Sequence, residues 1–150
     1  MLVKHFKSLM KHRGITLLIL VSLITVGCSN SPNYSIHHVD VKSADKSTEK
    51  WIEKNSKANG TYLGKTHISK KSYRYYLYIN YTNPVNNEYY SANQVSMRSG
   101  GNHAMIINVK STPSDEKWEK IFYIDEKEQS LKKIVLNGED IKTSSIPVIE

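Results

Sequence analysis

Histidines, a serine close to a histidine and several carboxylates are the side chains of this 150-residue chain that could support catalysis or bind a metal ion. His37 and His38 are adjacent, so on a strand they would point to opposite faces and could not share one ion. His67 and His103 are isolated, and neither His-x-x-x-His nor Glu-x-x-His occurs. We therefore predict no metal site, with one assembled from distant positions as the alternative.

Ser99 and His103 flank the segment Gly100-Gly101-Asn102, which invites comparison with a hydrolase. The Gly-x-Ser-x-Gly nucleophile elbow is absent, and the glycine pair lacks the rest of a phosphate-binding loop. We expect a hairpin turn here, because paired glycines supply the positive φ that tight turns need. The sequence thus predicts no cofactor and no catalytic residues.

Several carboxylates could in principle cleave a glycosidic bond, which requires an enclosed cleft and one raised pKa. They are Asp115, Glu116, Glu119, Asp125, Glu126 and Glu128. Because they alternate with lysines, we place them in solvated loops and predict a protein that is not an enzyme. A cell-wall hydrolase is kept as an alternative.

Tyrosines are concentrated between Tyr73 and Tyr90. In the alternating run 73–82, one face carries Leu77 and Ile79 and belongs in a core, while the other carries Arg74, Tyr76 and Tyr78. If the second face meets solvent, these three residues would bind a protein partner or stack on cell-wall sugars, since Tyr and Arg are enriched at binding hot spots. The alternative is that both faces are covered and each phenol has a nearby acceptor.

Hydrophobic periodicity predicts the elements that position these residues. A strand is expected over 36–41 and an amphipathic helix over 43–57, started by Asp45 or Ser43 and docked through Trp51 and Ile52. Alternation then predicts strands at 73–82, 89–98, 103–110, 117–124 and 131–136, with breaks at 112–115 and 125–130. The predicted fold class is mainly β: one N-terminal amphipathic helix, then an antiparallel meander of about six short strands in a small sandwich or open barrel.

Charge is concentrated at the N-terminus. The chain has 21 Lys+Arg and 14 Asp+Glu, a net charge of +7, but residues 1–27 hold four of the cations and no acid. The other 123 residues have 17 cations and 14 acids, or +3. This mild balance argues against nucleic-acid binding, which requires a basic stripe on the folded domain. The single cysteine excludes a disulfide framework.

The cationic N-terminus is followed by an uncharged, mostly apolar run of 12 residues, 15–26, too short to span a bilayer and typical of a secretory signal. The junction Thr25-Val26-Gly27-Cys28 resembles a bacterial lipobox, although that family usually has Leu at the first position. The resemblance implies cleavage between Gly27 and Cys28 and a diacylglyceryl group on Cys28. It places the protein on the extracytoplasmic side of the cell membrane, with membrane lipid as one partner.

The expected organisation is therefore a signal peptide at 1–27, a lipidated cysteine and polar tether at 28–35, one β-rich domain at 36–143 and a frayed tail at 144–150. The helix ending in Trp51-Ile-Glu-Lys-Asn55 and the later Ile107–Pro113 and Ile121–Ile124 segments resemble the PrcB-type domain family of protease-complex accessory proteins. That resemblance implies a small β module that assists another surface protein. We expect a membrane-anchored, non-enzymatic module that binds a protein at the envelope; the alternative is a lipid- or solute-binding carrier.

Overall fold

The computed structural model describes residues 34–126 and 131–150, which are mainly β as predicted. Cys28 and the predicted signal segment lie outside the described residues. The described residues form one α-helix and eight strands: β1 (Tyr34–Val39), α1 (Lys46–Asn55), β2 (Gly60–Ser69), β3 (Ser72–Tyr81), β4 (Tyr89–Ser99), β5 (Ala104–Ser114), β6 (Trp118–Glu126), β7 (Lys133–Leu136) and β8 (Glu139–Lys142).

These strands form two four-stranded sheets, ordered β1-β6-β3-β2 and β4-β5-β7-β8. The first sheet is antiparallel throughout, whereas β5 and β7 of the second are parallel. The order departs from the predicted meander because β6 lies between β1 and β3. Ile121 and Ile124 of β6 are both buried, one in each of the molecule's two apolar clusters. A strand that is apolar on both faces is buried best at the centre of a sheet.

The main core lies between the two sheets. The predicted inward face of β3 supplies Tyr75, Leu77 and Ile79, none more than 2% exposed. They share one cluster with Met105 and Ile107 of β5 and Ile134 of β7. Fully burying side chains of this size stabilises a fold by roughly 1.5–3 kcal/mol each, so this shared cluster holds the sheets together.

Helix α1 covers the other face of the first sheet. Its N-cap is Asp45, one of the two predicted caps, whose Oδ1 accepts the Thr48 N–H at 2.9 Å. Ile52 is buried and Trp51 is half-buried in a second cluster against Tyr76 and Tyr78. The helix therefore docks through the two large apolar residues that its sequence predicted.

The C-terminal segment is part of the fold, so the predicted frayed tail at 144–150 is wrong. Ile146 and Ile149 are 3% and 7% exposed. The Lys65 N–H donates to the Pro147 carbonyl at 2.9 Å, and the Ile149 N–H donates to the Lys65 carbonyl at 2.8 Å, so the segment extends the β2 edge. Gly64 makes this possible, because a Cβ there would lie 2.8 Å from Ile149 Cδ1.

Three other boundaries also differ from prediction. The domain includes Tyr34 and Ser35, which belong to β1 and not to a tether. Strand β6 runs to Glu126, beyond the predicted loop boundary. Strand β5 continues through Pro113 to Ser114, because β7 pairs only with 104–107 and leaves Pro113 a partner on one side alone. The missing N–H of a proline costs little where one side of a strand is unpaired.

Candidate functional site

The structure buries two of the three predicted partner-binding residues. Tyr76 is 6% exposed and Tyr78 is fully buried, both beneath α1 in the cluster that includes Ile52 and Ile149. The expectation of a solvent-exposed tyrosine face is therefore wrong. Its physical reason is that the helix and the C-terminal segment, which are distant in sequence, cover the face on which these rings lie.

Tyr78 has a specific partner for its phenol. Its hydroxyl donates to Oε1 of Glu119, and its ring centre lies 6.0 Å from the rings of Trp51 and Tyr62. Burial, followed by the Glu119 carboxylate, raises the pKa of Tyr78 well above its ordinary value. The phenol thus stays protonated and acts as a donor, which matches the predicted alternative of a covered face with satisfied phenols.

Arg74 is the third residue predicted to bind a partner. It lies near the start of β3, on the same sheet face as Tyr76 and Tyr78, and is partly exposed. Its Nε and Nη2 donate to the two Asp125 oxygens at 2.6 and 2.7 Å, and the pair has side-chain exposures of 32% and 26%. The hydrogen bonds to Asp125 raise the pKa of the guanidinium further above its ordinary value. Arg74 is therefore a fixed, permanently charged group with donors remaining for a ligand.

An aromatic ring supports this guanidinium. The Arg74 Cζ lies 3.9 Å from the Tyr123 ring centre, and the exposed His37 ring stacks on Tyr123 at 4.6 Å. His37 and Arg74 come from β1 and β3, the two strands that flank β6. We call His37, Arg74, Tyr123 and Asp125 the platform. It presents a cation and flat rings together, which suits a protein or aromatic ligand.

A polar cavity of about 270 Å³ lies at one end of the molecule, between the sheets. Its lining combines charged, phenolic and hydroxyl groups: Lys65, Tyr73, Tyr75, Glu126, Leu131, Thr143 and Ser144. The Lys65 Nζ donates to the Thr143 carbonyl at 2.6 Å and lies 5.1 Å from the Tyr73 ring centre. Lys65 is only 7% exposed. The described residues form two ion pairs, Arg74–Asp125 and Lys133–Asp140. No carboxylate of the described residues therefore lies within 4.0 Å of the Lys65 ammonium.

The carboxylate of the cavity is tied down separately. Glu126 is 3% exposed; its Oε1 accepts the Leu131 N–H and its Oε2 accepts the Tyr75 hydroxyl at 3.3 Å. Burial, followed by the Glu126 charge, raises the pKa of Tyr75 above its ordinary value. The cavity therefore presents one cation and one anion, each partly engaged by the protein.

The histidines among the described residues have different surroundings. His38 packs on Phe122 at 5.3 Å and His67 on Tyr73 at 4.5 Å. His103 lies in the β4–β5 turn with φ +59°, beside Gly101 at φ +67°. Within 34–126 and 131–150, no group of three or more His, Cys, Asp or Glu side chains could hold a metal ion.

Sequence reasoning missed the residues that the fold draws together. Glu119, Asp125 and Glu126 were expected in loops, yet all lie on β6, where they pair with Tyr78, Arg74 and Tyr75. The burial of Lys65 has no sequence signal, because one lysine in a weakly alternating segment does not indicate a buried position. The predicted cleavage and lipidation residues Gly27 and Cys28 lie outside the described residues.

No helix of residues 34–126 and 131–150 is long and apolar enough to cross a membrane. No protein-family model, curated protein or solved structure matches this chain.

Proposed function

We propose that this chain is an extracytoplasmic lipoprotein, anchored to the cell membrane through a diacylglyceryl group on Cys28, that acts as a non-enzymatic binding module. The support for the anchor comes from sequence: a cationic start, a 12-residue apolar run, and a small residue before the chain's one cysteine. Tyr34, the first residue of β1, is six residues after Cys28. Two sheets sharing a core, which we infer to be a small sandwich, would then sit close to the lipid.

The platform is the observation that carries the binding function. Arg74 is held at two nitrogens by Asp125 and rests on the Tyr123 ring, so its geometry is set before any partner arrives. Pre-organisation reduces the side-chain entropy lost on association. Arg and Tyr are also among the residue types most enriched at binding hot spots. A protein partner with an exposed carboxylate and an apolar contact fits this surface, and it replaces the predicted tyrosine face, which is buried.

Site-specific photo-crosslinking in intact cells tests this function. A photoreactive amino acid at the exposed His37 position should capture one discrete protein, and the charge-preserving variant Arg74→Lys should weaken capture by at least tenfold. The reason is that lysine cannot donate two parallel hydrogen bonds to a carboxylate or stack flat on Tyr123.

The matched control is the same amino acid at Asn108, an exposed residue of β5 in the other sheet. Capture of the same protein from both positions, or capture unaffected by Arg74→Lys, would contradict binding through the platform.

Small-solute binding is a second candidate, favoured by the buried Lys65 in the polar cavity. At about 270 Å³ the cavity is slightly below the usual range for ligand sites, which begins near 300 Å³. Its charged lining suits a small polar molecule with a carboxylate better than an acyl chain. Calorimetric titration with free amino acids, comparing the native chain with Lys65→Gln, checks this: no heat of binding with either protein removes the candidate.

A further inference from the structure

One end of the molecule collects several cations that the fold leaves on the surface, and we call it the tether end. Strand β1 starts there at Tyr34, opposite Glu126 of β6, and Asp125 pairs in register with Arg74 of β3. The β2–β3 turn at Lys70 and Lys71 is therefore at the same end. This is also the end from which the chain leads back to Cys28.

The second sheet contributes to the tether end as well. The cavity places Leu131 and Thr143 beside Tyr73 and Glu126. Leu131 precedes β7, Thr143 follows β8, and β7 is in parallel register with the start of β5. The Ser99–Ala104 turn and the residues flanking β7 and β8 consequently share this end.

Most exposed charges of the described residues at the tether end are positive. Five exposed cations lie there: Lys70, Lys71, Arg98, Lys132 and Lys142. Of the described carboxylates of this end, Asp125 pairs with Arg74, Asp140 pairs with Lys133 and Glu126 lies inside the cavity, whereas the exposed Glu150 follows β2 beyond Lys65 toward this end. Among the cations, on β2, lies Ile68, an apolar side chain that is 49% exposed.

The opposite end carries exposed charges of both signs. The exposed acids there are Asp40, Glu88, Asp115 and Glu116, and the exposed cations are Lys42, Lys57 and Lys117. Both ends belong to one compact unit covering residues 32–150. Among the described residues, the excess of exposed cations is therefore at the end where the chain leads to the predicted lipid.

We infer that the tether end docks on the anionic surface of the membrane that holds the lipid anchor, with Ile68 inserted at the headgroup level; this rests on the proposed acylation of Cys28. Six residues reach about 20 Å at most, which keeps the domain within a few Debye lengths of the bilayer. Each cation near an anionic surface contributes roughly fivefold to the partition toward it. Docking turns the opposite end, where β3 leads into β4 and β5 into β6, toward the envelope.

Fluorescence of a single label tests the orientation. The acylated full chain is reconstituted in vesicles of phosphatidylcholine, with or without phosphatidylglycerol. An environment-sensitive dye is attached to the cysteine of the Ile68→Cys variant. Only that cysteine reacts, because acylation leaves Cys28 without a thiol. The label should shift to the blue in vesicles containing phosphatidylglycerol and return toward its aqueous emission at high salt. Val85→Cys is the matched control, because Val85 is 46% exposed at the opposite end. It should show no shift.

Charge variants complete the experiment. Replacing Lys71, Lys132 and Lys142 by Gln should lower the ratio of docked to undocked protein by about a hundredfold, at roughly fivefold each. Replacing Lys57, Lys110 and Lys117 should leave it unchanged.

Flotation of the vesicles separates the two claims. Protein that floats while the Ile68→Cys label stays aqueous overturns the docking and leaves the anchor intact. Equal shifts with and without phosphatidylglycerol overturn the role of the cations. Protein that fails to float overturns the proposed anchor, and the docking with it.

Discussion

Truncation of Tyr78 distinguishes a covered sheet face from a binding surface most sharply. Tyr78 is fully buried and packs edge-on against Trp51, so Tyr78→Ala leaves a cavity beneath α1 and removes the donor to Glu119. Large-to-small substitutions of buried aromatic residues cost about 3–5 kcal/mol in the free energy of unfolding. A domain of this size has a stability of roughly 5–15 kcal/mol, so Tyr78→Ala should remove a large share of it.

A second substitution isolates the phenol. Tyr78→Phe keeps the ring and removes only the hydroxyl that donates to Glu119. Hydrogen bonds to charged groups contribute about 1.5–3 kcal/mol, so Tyr78→Phe should cost less than the alanine variant and leave the packing of Trp51 unchanged.

Equilibrium urea unfolding of residues 28–150 with Cys28→Ser, followed by tryptophan fluorescence, measures these differences. The control is Tyr90→Ala, since Tyr90 is half-buried on β4 and belongs to neither apolar cluster. We expect Tyr90→Ala to cost far less than Tyr78→Ala. A loss below about 1 kcal/mol for Tyr78→Ala, the range of surface substitutions, would refute the burial of this face.

Two other predictions concern local packing and charge. Gly64→Ala should destabilise the domain by about 1–3 kcal/mol, because the added methyl group overpacks against Ile149. In the double variant, Ile149→Ala should recover part of that loss, which a double-mutant cycle of urea unfolding measures. Additive losses would contradict the contact between residues 64 and 149. Asp45→Ala should cost about 1 kcal/mol at neutral pH, because the Thr48 N–H lowers the pKa of Asp45 below 3.8 in the folded state. Because the pKa of Asp45 is lower in the folded state, the stability that its carboxylate contributes is present above pH 3.8 and is lost as the pH falls through the folded-state pKa. The melting temperatures of Asp45→Ala and the native chain should therefore converge in acid. A constant difference at every pH would exclude the carboxylate cap.

Local patterns were sufficient to predict the inward face of β3 and the docking residues of α1. Leu77 and Ile79 alternate with polar positions, and a period of two fixes the face on which they lie. Trp51 and Ile52 are the large apolar residues of their helix, so burial through them follows from the sequence alone. The cap at Asp45 is similarly local, because its carboxylate reaches an N–H three residues away.

The site residues could not be predicted, because their surroundings come from distant segments. Whether Tyr78 meets solvent depends on α1 and on Ile149, and nothing between 73 and 82 encodes that coverage. Asp125 is recognisable as a partner of Arg74 only once β6 is known to lie beside β3. The parallel pairing of β5 with β7 likewise has no sequence signal, since it depends on the path of the intervening chain.

Intact mass spectrometry of the protein extracted from membranes tests the central claim most directly. We expect a chain that begins at Cys28 and carries the added mass of a diacylglyceryl group on that cysteine. A chain that retains residues 1–27, or one with a free thiol at Cys28, would contradict the lipid anchor on which the proposed function depends.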